Sequence, residues 1–440
     1  MRTKLLFVLL LSVCATVQAA PQIQHWTTSN GARVYFVPAP ELPMFDLNVV
    51  FDAGAARDGE RPGLALMTNG MLAEGAGDWD ADTIAQRFES VGAVFGNNAQ
   101  RDMSVLSLRS LTEPAWMQQA LDTFTTVLSR PSFPRDAFER ERKRLLIALE
   151  QKKQSPGAIA NELFYQAVFG DHPYAGLPEG NADSLRALTV DELRAFYHRY
   201  FVARNAVVAI VGDLDRAQAE RLAEQVMSGL PAGSAAPPLP TVDKLAAPRE
   251  IRRSFPSSQT HIRMGQPGMR RGDPDYFPLY LGNHVLGGSG LVSRLSEEVR
   301  EKRGLAYSAY SYFLPMRQRG PFIMGVQTRN EQAAQSLAVM RQVLRDFVAR
   351  GPSEDELMAA KRNLTGGFAL RIDSNSKIVG NLAAIGFYGL PLDYLDRFIA
   401  NVEAVSREQV RQAFQRRIDP ANLVTVIVGG SPEQASPRAN

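Results

Sequence analysis

Apolar positions along the chain follow two periods, and the switches between them outline its elements. In "GLALMTNGMLAEG", Gly63 to Gly75, the residues Leu64, Met67, Met71 and Leu72 recur at helical spacing, although an asparagine and a glycine sit in the middle. "DADTIAQRFESVG" predicts a second helix, with Asp80 as cap, Ile84, Phe88 and Val91 toward a core, and Gly92 at its end. "SVLSLRSL", "LAYSAYSYF" and "FIMGVQT" alternate apolar and polar residues, the pattern of half-buried antiparallel strands. Helices and strands mix without strict β-α-β alternation, so the expected class is α+β.

One pattern occurs twice. "TVDELRAFYHRYFVARNAVVAIVGD", Thr189 to Asp213, lies on "SREQVRQAFQRRIDPANLVTVIVGG", Ser406 to Gly430, in unbroken register: Thr189 meets Ser406, Glu192 meets Gln409, Asn205 meets Asn422 and Gly212 meets Gly429. Each copy reads as a Ser/Thr cap with Glu or Gln three residues on, a helix, and a buried strand ending in glycine. An ungapped match of that length points to internal duplication. Between the copies "LPAGSAAPPLPTVDKLAAP" has no amphipathic period and reads as an extended linker. The expected organisation is residues 1–19 as signal peptide, 20–230 as the first α+β domain, 231–248 as linker, 249–430 as the second and 431–440 as a tail. Each domain is expected to hold an antiparallel-rich sheet packed with helices.

Composition narrows the function. The 440 residues are 45% hydrophobic and 22% charged, which fits a globular chain. The N-terminus "MRTKLLFVLLLSVCATVQAAP" has the basic, apolar and small-residue segments of a secretory signal, with cleavage expected after Ala19. Losing Arg2 and Lys4 lowers the formal charge from +3 to +1, which leaves no electrostatic case for nucleic acid or anionic lipid. Cys14 is the only cysteine; Val13 before it departs from the small residue a lipoprotein signal wants, so cleavage at Ala19 is preferred to a lipid anchor. The mature chain then has no disulfide and no thiolate chemistry, consistent with a bacterial periplasm. The five histidines, His25, His172, His198, His261 and His284, never fall in ligand spacing on one helix face, and read as solvated or hydrogen-bonded. "GGSGL" at Gly287 lacks the features of a nucleophile elbow or phosphate loop and reads as a turn.

Against these elements the chain resembles the pitrilysin or insulinase-type metallopeptidases, whose zinc helix carries H-x-x-E-H inside "G-x-A-H-x-x-E-H-M-L". "GLALMTNGML" keeps Gly63, Ala65, Met71 and Leu72 but has Leu66, Asn69 and Gly70 where His, Glu and His would stand. Leucine and glycine have no ligating atom, and asparagine is no base at neutral pH. The resemblance places the third ligand at Glu150, in "FERERKRLLIALEQKKQSP"; it is a relic or a solvated charge pairing with Arg144 or Lys153. In "SRLSEEVREKRGLAYSAYSYF" the resemblance marks Arg300 and Tyr307 as the arginine and tyrosine that clamp substrate at the zinc of the facing half. On residue type alone, Arg300 could pair with Glu297 and Tyr307 could face the core. "NGARVYFVP", "GDHPYAGLPEG" and "NHVLGG" extend the likeness over almost the whole chain.

The resemblance implies a chain forming half of a clamshell chamber, with no cofactor or metal of its own. A partner chain bearing H-x-x-E-H would supply the zinc, and peptide would be the substrate. A catalytically inert peptide-binding or scaffold protein is the competing expectation. An independent peptidase is disfavoured for want of any nucleophile or metal set.

Overall fold

A computed structural model describes residues 22–430. The expected signal peptide with Cys14, and the tail from Ser431, lie outside the described residues. Among the described residues thirteen strands form in chain order. They are β1 (Gln24–Thr27), β2 (Arg33–Pro38), β3 (Met44–Phe51), β4 (Gly75–Ala76), β5 (Trp79–Asp80), β6 (Val94–Ala99), β7 (Ser104–Leu111) and β8 (Ala206–Gly212), then β9 (Arg249–Arg253), β10 (Gln259–Pro267), β11 (Ala306–Phe313), β12 (Pro321–Arg329) and β13 (Val424–Val428).

The first sheet runs β1-β2-β8-β3-β7-β6 and the second β11-β12-β10-β13-β9. Apart from β1, the two have the same order, since β2-β8-β3-β7-β6 matches β9-β13-β10-β12-β11. In each, the duplicated strand makes the parallel pairing, β2 with β8 and β9 with β13, while the other neighbours are antiparallel. The chain is therefore two homologous α+β halves with antiparallel-rich sheets. The repeated capping boxes form as read: Thr189 with Glu192, and Ser406 with Gln409. Asp80 caps its helix by accepting from Thr83 N, and Ile84, Phe88 and Val91 are buried beneath it.

The runs "AVVAIV" and "LVTVIV" are buried at every position because both faces of each sheet are covered. One face of the first sheet, with Phe36, Phe45, Leu47, Val49 and Ile210, packs on that half's own helices. The opposite face, with Tyr35, Val37, Val207 and Ala209, packs on helix Asn375–Tyr388, which belongs to the second half. The second sheet is treated reciprocally: Ile323, Val424, Val426 and Val428 pack on helix Pro156–Phe169 of the first half through Phe164, Tyr165 and Val168. Burying one such aromatic side chain stabilises by about 1.5–3 kcal/mol, so each half draws part of its core from the other.

A polar cluster fastens the same seam. Asp102 of the first half is buried, and its carboxylate accepts from Tyr174 OH at 2.5 Å and, from the second half, Arg317 N at 2.7 Å and Tyr388 OH at 3.1 Å. Burial pushes its pKa up, and those donors oppose the shift. Asp52 pairs with Arg57 at 2.8 Å and meets Arg317 Nε at 3.3 Å. Residues 231–248 run without regular secondary structure, yet Leu239 and Val242 are buried in the seam, and Gln318 donates to Leu239 O at 3.1 Å.

Two glycines of helix Asn375–Tyr388 separate helix propensity from packing across the seam. A Cβ at Gly386 would lie 2.5 Å from Tyr35 Cε2 and 2.6 Å from Val207 Cγ1, whereas one at Gly380 meets nothing within 4 Å. Gly386→Ala is expected to destabilise by about 1–3 kcal/mol through overpacking. Gly380→Ala should stabilise by about 0.5–1 kcal/mol through lower backbone entropy. Denaturant unfolding of both variants checks this; equal effects at the two positions would refute the close approach.

Candidate functional site

Helix Leu64–Met71 sits where the resemblance places the zinc helix. Gly63 enters it at φ 97°, a left-handed conformation suited to glycine. The helix has no side-chain cap from its own N-cap residue. Asp58 instead reaches in, accepting from Gly63 N and Ala65 N, both at 2.8 Å. Desolvation raises the Asp58 pKa to about 7, against the opposing pull of those two N–H groups. Sequence reading missed this cap because the acid lies five residues before Gly63, outside capping-box spacing.

Leu64, Ala65, Met67, Thr68, Asn69 and Met71 are buried, while Leu66 is half-buried and Gly70 exposed. The face that two histidines would occupy thus holds an apolar chain and bare backbone. A Cβ at Gly70 meets nothing within 4 Å, so size does not explain the glycine. Asn69 is 1% exposed; its amide nitrogen lies 3.4 Å from Val105 O, and its backbone carbonyl accepts from Asn97 Nδ2 at 2.6 Å. The residue in the base position therefore ties the helix to β6 and β7. Among the described residues no group of three or more His, Cys, Asp and Glu is placed to hold a metal ion.

Glu150 ends up elsewhere. It lies on helix Arg135–Lys152, is exposed, and pairs with Lys153 at 2.7 Å, while Arg144 pairs with Glu141. It borders a shallow groove with Ile147 and Arg186, whereas Leu66 lines a different cavity between the halves. The structure does not bring the two into one site.

The second half brings Arg300 and Tyr307 together. The helix before them starts at Arg294, capped by Ser293, and after one turn widens into a π-wound turn over Glu297–Glu301 with Lys302 N bonded to Glu297 O at 2.9 Å. Gly304, at φ 58°, turns the chain into β11. Ala306 pairs with Thr328 and Ala309 with Val326, so Tyr307 and Ser308 share one opposing residue in a β-bulge. The bulge throws Tyr307 outward, and the residue is 84% exposed. This corrects the core-facing reading of Tyr307. The Arg300 to Glu297 pairing is corrected too, because Lys302 takes Glu297 at 2.8 Å and Arg300 Nε lies 3.2 Å from Glu301. The Arg300 guanidinium carbon stands 4.8 Å from the centre of the Tyr307 ring, a cation–π contact that orients both groups. The Tyr307 hydroxyl has no partner among the described residues and is free to donate to a ligand. Beside the pair, Leu291 and Val292 are exposed apolar residues on the turn read from "GGSGL".

Comparison with known proteins agrees with this anatomy. Family models for the insulinase peptidases (peptidase family M16) and for the peptidase M16 inactive domain match residues 37–177 and 187–364. The crystal structure of a peptidase M16 inactive domain from Pseudomonas fluorescens is 43% identical, with a TM-score of 0.90 over 93% of this chain and 98% of that one. A protease structure from Helicobacter pylori, 18% identical with a TM-score of 0.84, shares the fold over 93% of this chain and all (100%) of its own. The non-peptidase homolog YmxG of Helicobacter pylori is 26% identical, covering 97% of this chain and 98% of its own length. An uncharacterized zinc protease of Streptomyces coelicolor is also 26% identical, over 94% and 91%. The chain belongs to the M16 family of insulinase-type peptidases. Within that family it is an inactive-type member.

The Asp58 cap gives a pH test. Its folded pKa of about 7 lies above the ordinary 3.8, so the folded chain holds the proton more tightly. The stabilisation this brings is full below about pH 4 and is lost as pH rises through about 7. Melting curves should show the wild type losing stability across that window relative to Asp58→Asn. Parallel curves for the two proteins would rule the cap out as the source.

Proposed function

We propose that this protein is the zinc-free subunit of a periplasmic two-chain metallopeptidase. It lends Arg300, Tyr307 and one wall of a clamshell chamber to a partner that carries H-x-x-E-H and zinc. The observation that supports this most is the contrast between the two halves. The first has Leu66, Asn69 and Gly70 where the family pattern has two ligands and a base. The second holds an exposed phenol stacked on a guanidinium, set by a π-turn that is anchored in the core through Val299 and by a bulge at Tyr307. An inert scaffold has no need of that pair.

The chemistry rests on the groups present. A peptide carbonyl under attack at the partner's metal becomes an oxyanion, and the Tyr307 hydroxyl and Arg300 guanidinium are donors suited to it. Arg300 holds Tyr307 by its ring face, leaving the hydroxyl outward. No helix among the described residues is long and apolar enough to cross a membrane.

The chain purified alone should contain no stoichiometric zinc and cleave no peptide; one chelatable zinc per chain, with activity lost on chelation, would overturn the reading. From the native periplasm it should co-purify with an H-x-x-E-H protein. In that complex Tyr307→Phe should lower kcat by about 10² to 10³ with assembly intact. Arg300→Ala should lower kcat and also weaken substrate binding, and Glu150→Gln should change little. Turnover within twofold of wild type for both clamp variants, in a complex shown to be assembled, would leave the scaffold reading in its place.

A further inference from the structure

Between the halves lies a cavity of ≈590 Å³, bounded by Leu66 of the degenerate helix, β6 and β7, the loop around Pro315, and helix Asn375–Tyr388. That size falls in the range of small-ligand sites. Its walls mix side-chain amides, Asn48, Asn98 and Gln100, with apolar patches such as Val50 and Leu314. Amide and apolar groups in alternation suit a stretch of peptide better than a uniformly polar or apolar molecule.

Four charged side chains enter the lining: Arg101, Asp102, Glu179 and Arg271. Three have partners. Asp102 accepts from Tyr174, Tyr388 and Arg317 N, and Glu179 is held by Lys152. Arg101 donates to Tyr174 O at 3.2 Å and Gly176 O at 3.0 Å, and stacks 3.6 Å from the centre of the Tyr165 ring.

Arg271 is the exception. Its Nε is buried with no hydrogen-bond partner among the described residues, and no described carboxylate lies within 4.0 Å of it. Its nearest support is the face of Tyr388, whose centre is 5.5 Å from the guanidinium carbon. The backbone that carries it is held in place. Arg271 N donates to Met316 O at 2.8 Å, and Gly268 N to Gly320 O at 2.7 Å, locking the arginine-bearing loop to the one beside it. A partly desolvated guanidinium lacking a counter-charge is costly to leave unpaired, and its two terminal nitrogens, which are not buried, can hold a carboxylate.

We propose that Arg271 is the anchor of a carboxylate-binding site in this cavity, and that its ligand is a peptide presenting either a free C-terminus or an acidic side chain. The site lies within this one chain and does not depend on a zinc-bearing partner. Arg101 directs its hydrogen bonds to backbone carbonyls and feels Asp102 and Glu179 of the same lining, so Arg271 is the group left to meet a ligand carboxylate.

The test uses the mature full-length chain alone and four otherwise identical fluorescent peptides. They have a C-terminal acid or amide, each with an internal Glu or Gln, and are titrated by anisotropy at fixed low salt. Removing the recognised carboxylate should weaken binding by about tenfold in the wild type, and by less than twofold in Arg271→Gln. Sensitivity to amidation identifies the C-terminus as the source, and sensitivity to Glu-to-Gln exchange identifies the side chain. Ala384→Trp, which fills the cavity from helix Asn375–Tyr388, should abolish binding of all four, with melting curves confirming that both variants fold. No measurable binding by wild type, equal binding of all four peptides, or an Arg271→Gln profile matching wild type would each overturn the proposal. Because no partner or turnover enters the measurement, its failure would leave the two-chain reading standing, and the reverse also holds.

Discussion

A sheet buried on both faces needs two covers, and here each half can supply only one. The other face of the first sheet is covered by helix Asn375–Tyr388 and that of the second by helix Pro156–Phe169. This exchange leaves neither half able to complete its core without the other. It also sets where open space can exist, because the cavity between the halves is what the exchanged helices leave uncovered. The buried carboxylate of Asp102, with donors from both sides of the seam, fixes the spacing of that gap.

The same packing explains how a helix can lose its chemistry and stay. Its buried positions, Leu64, Met67 and Met71, are core residues that the first half cannot give up. Only the half-buried Leu66, the exposed Gly70 and the tethering Asn69 differ from the metal-binding pattern. Leucine, asparagine and glycine at those positions leave the core filled, so the packing of the helix does not depend on ligand residues there.

Much of the architecture was legible in the sequence because it is local. Capping boxes, alternation in β7 and the duplicated helix–strand unit depend on residues a few positions apart, and all formed as read. The exchange of helices was not legible. Nothing in "PGAIANELFYQAVF" says that Phe164 meets Val426 rather than its own sheet, since that choice is made by contacts hundreds of residues apart. The arginine and tyrosine were legible as residues, but their geometry was not, because a π-turn and a bulge break the periods on which such reading relies. Arg271 gave no signal at all. An arginine is marked by what it fails to pair with, and that requires the tertiary structure.

The π-turn and the bulge have a consequence of their own. Each is an extra residue, one in a helix and one in a strand, and between them they hold Arg300 over Tyr307. Removing one residue from the turn would rotate the chain on its N-terminal side by about 100° relative to the chain on its C-terminal side. Removing one from the bulge would return Tyr307 to the ordinary up-and-down succession of β11, with its ring on the opposite side. The encounter of these side chains is thus a property of chain length in this segment as much as of residue type. A relative could keep both the arginine and the tyrosine, lose a single codon from the turn or the bulge, and be left with two surface residues that no longer meet.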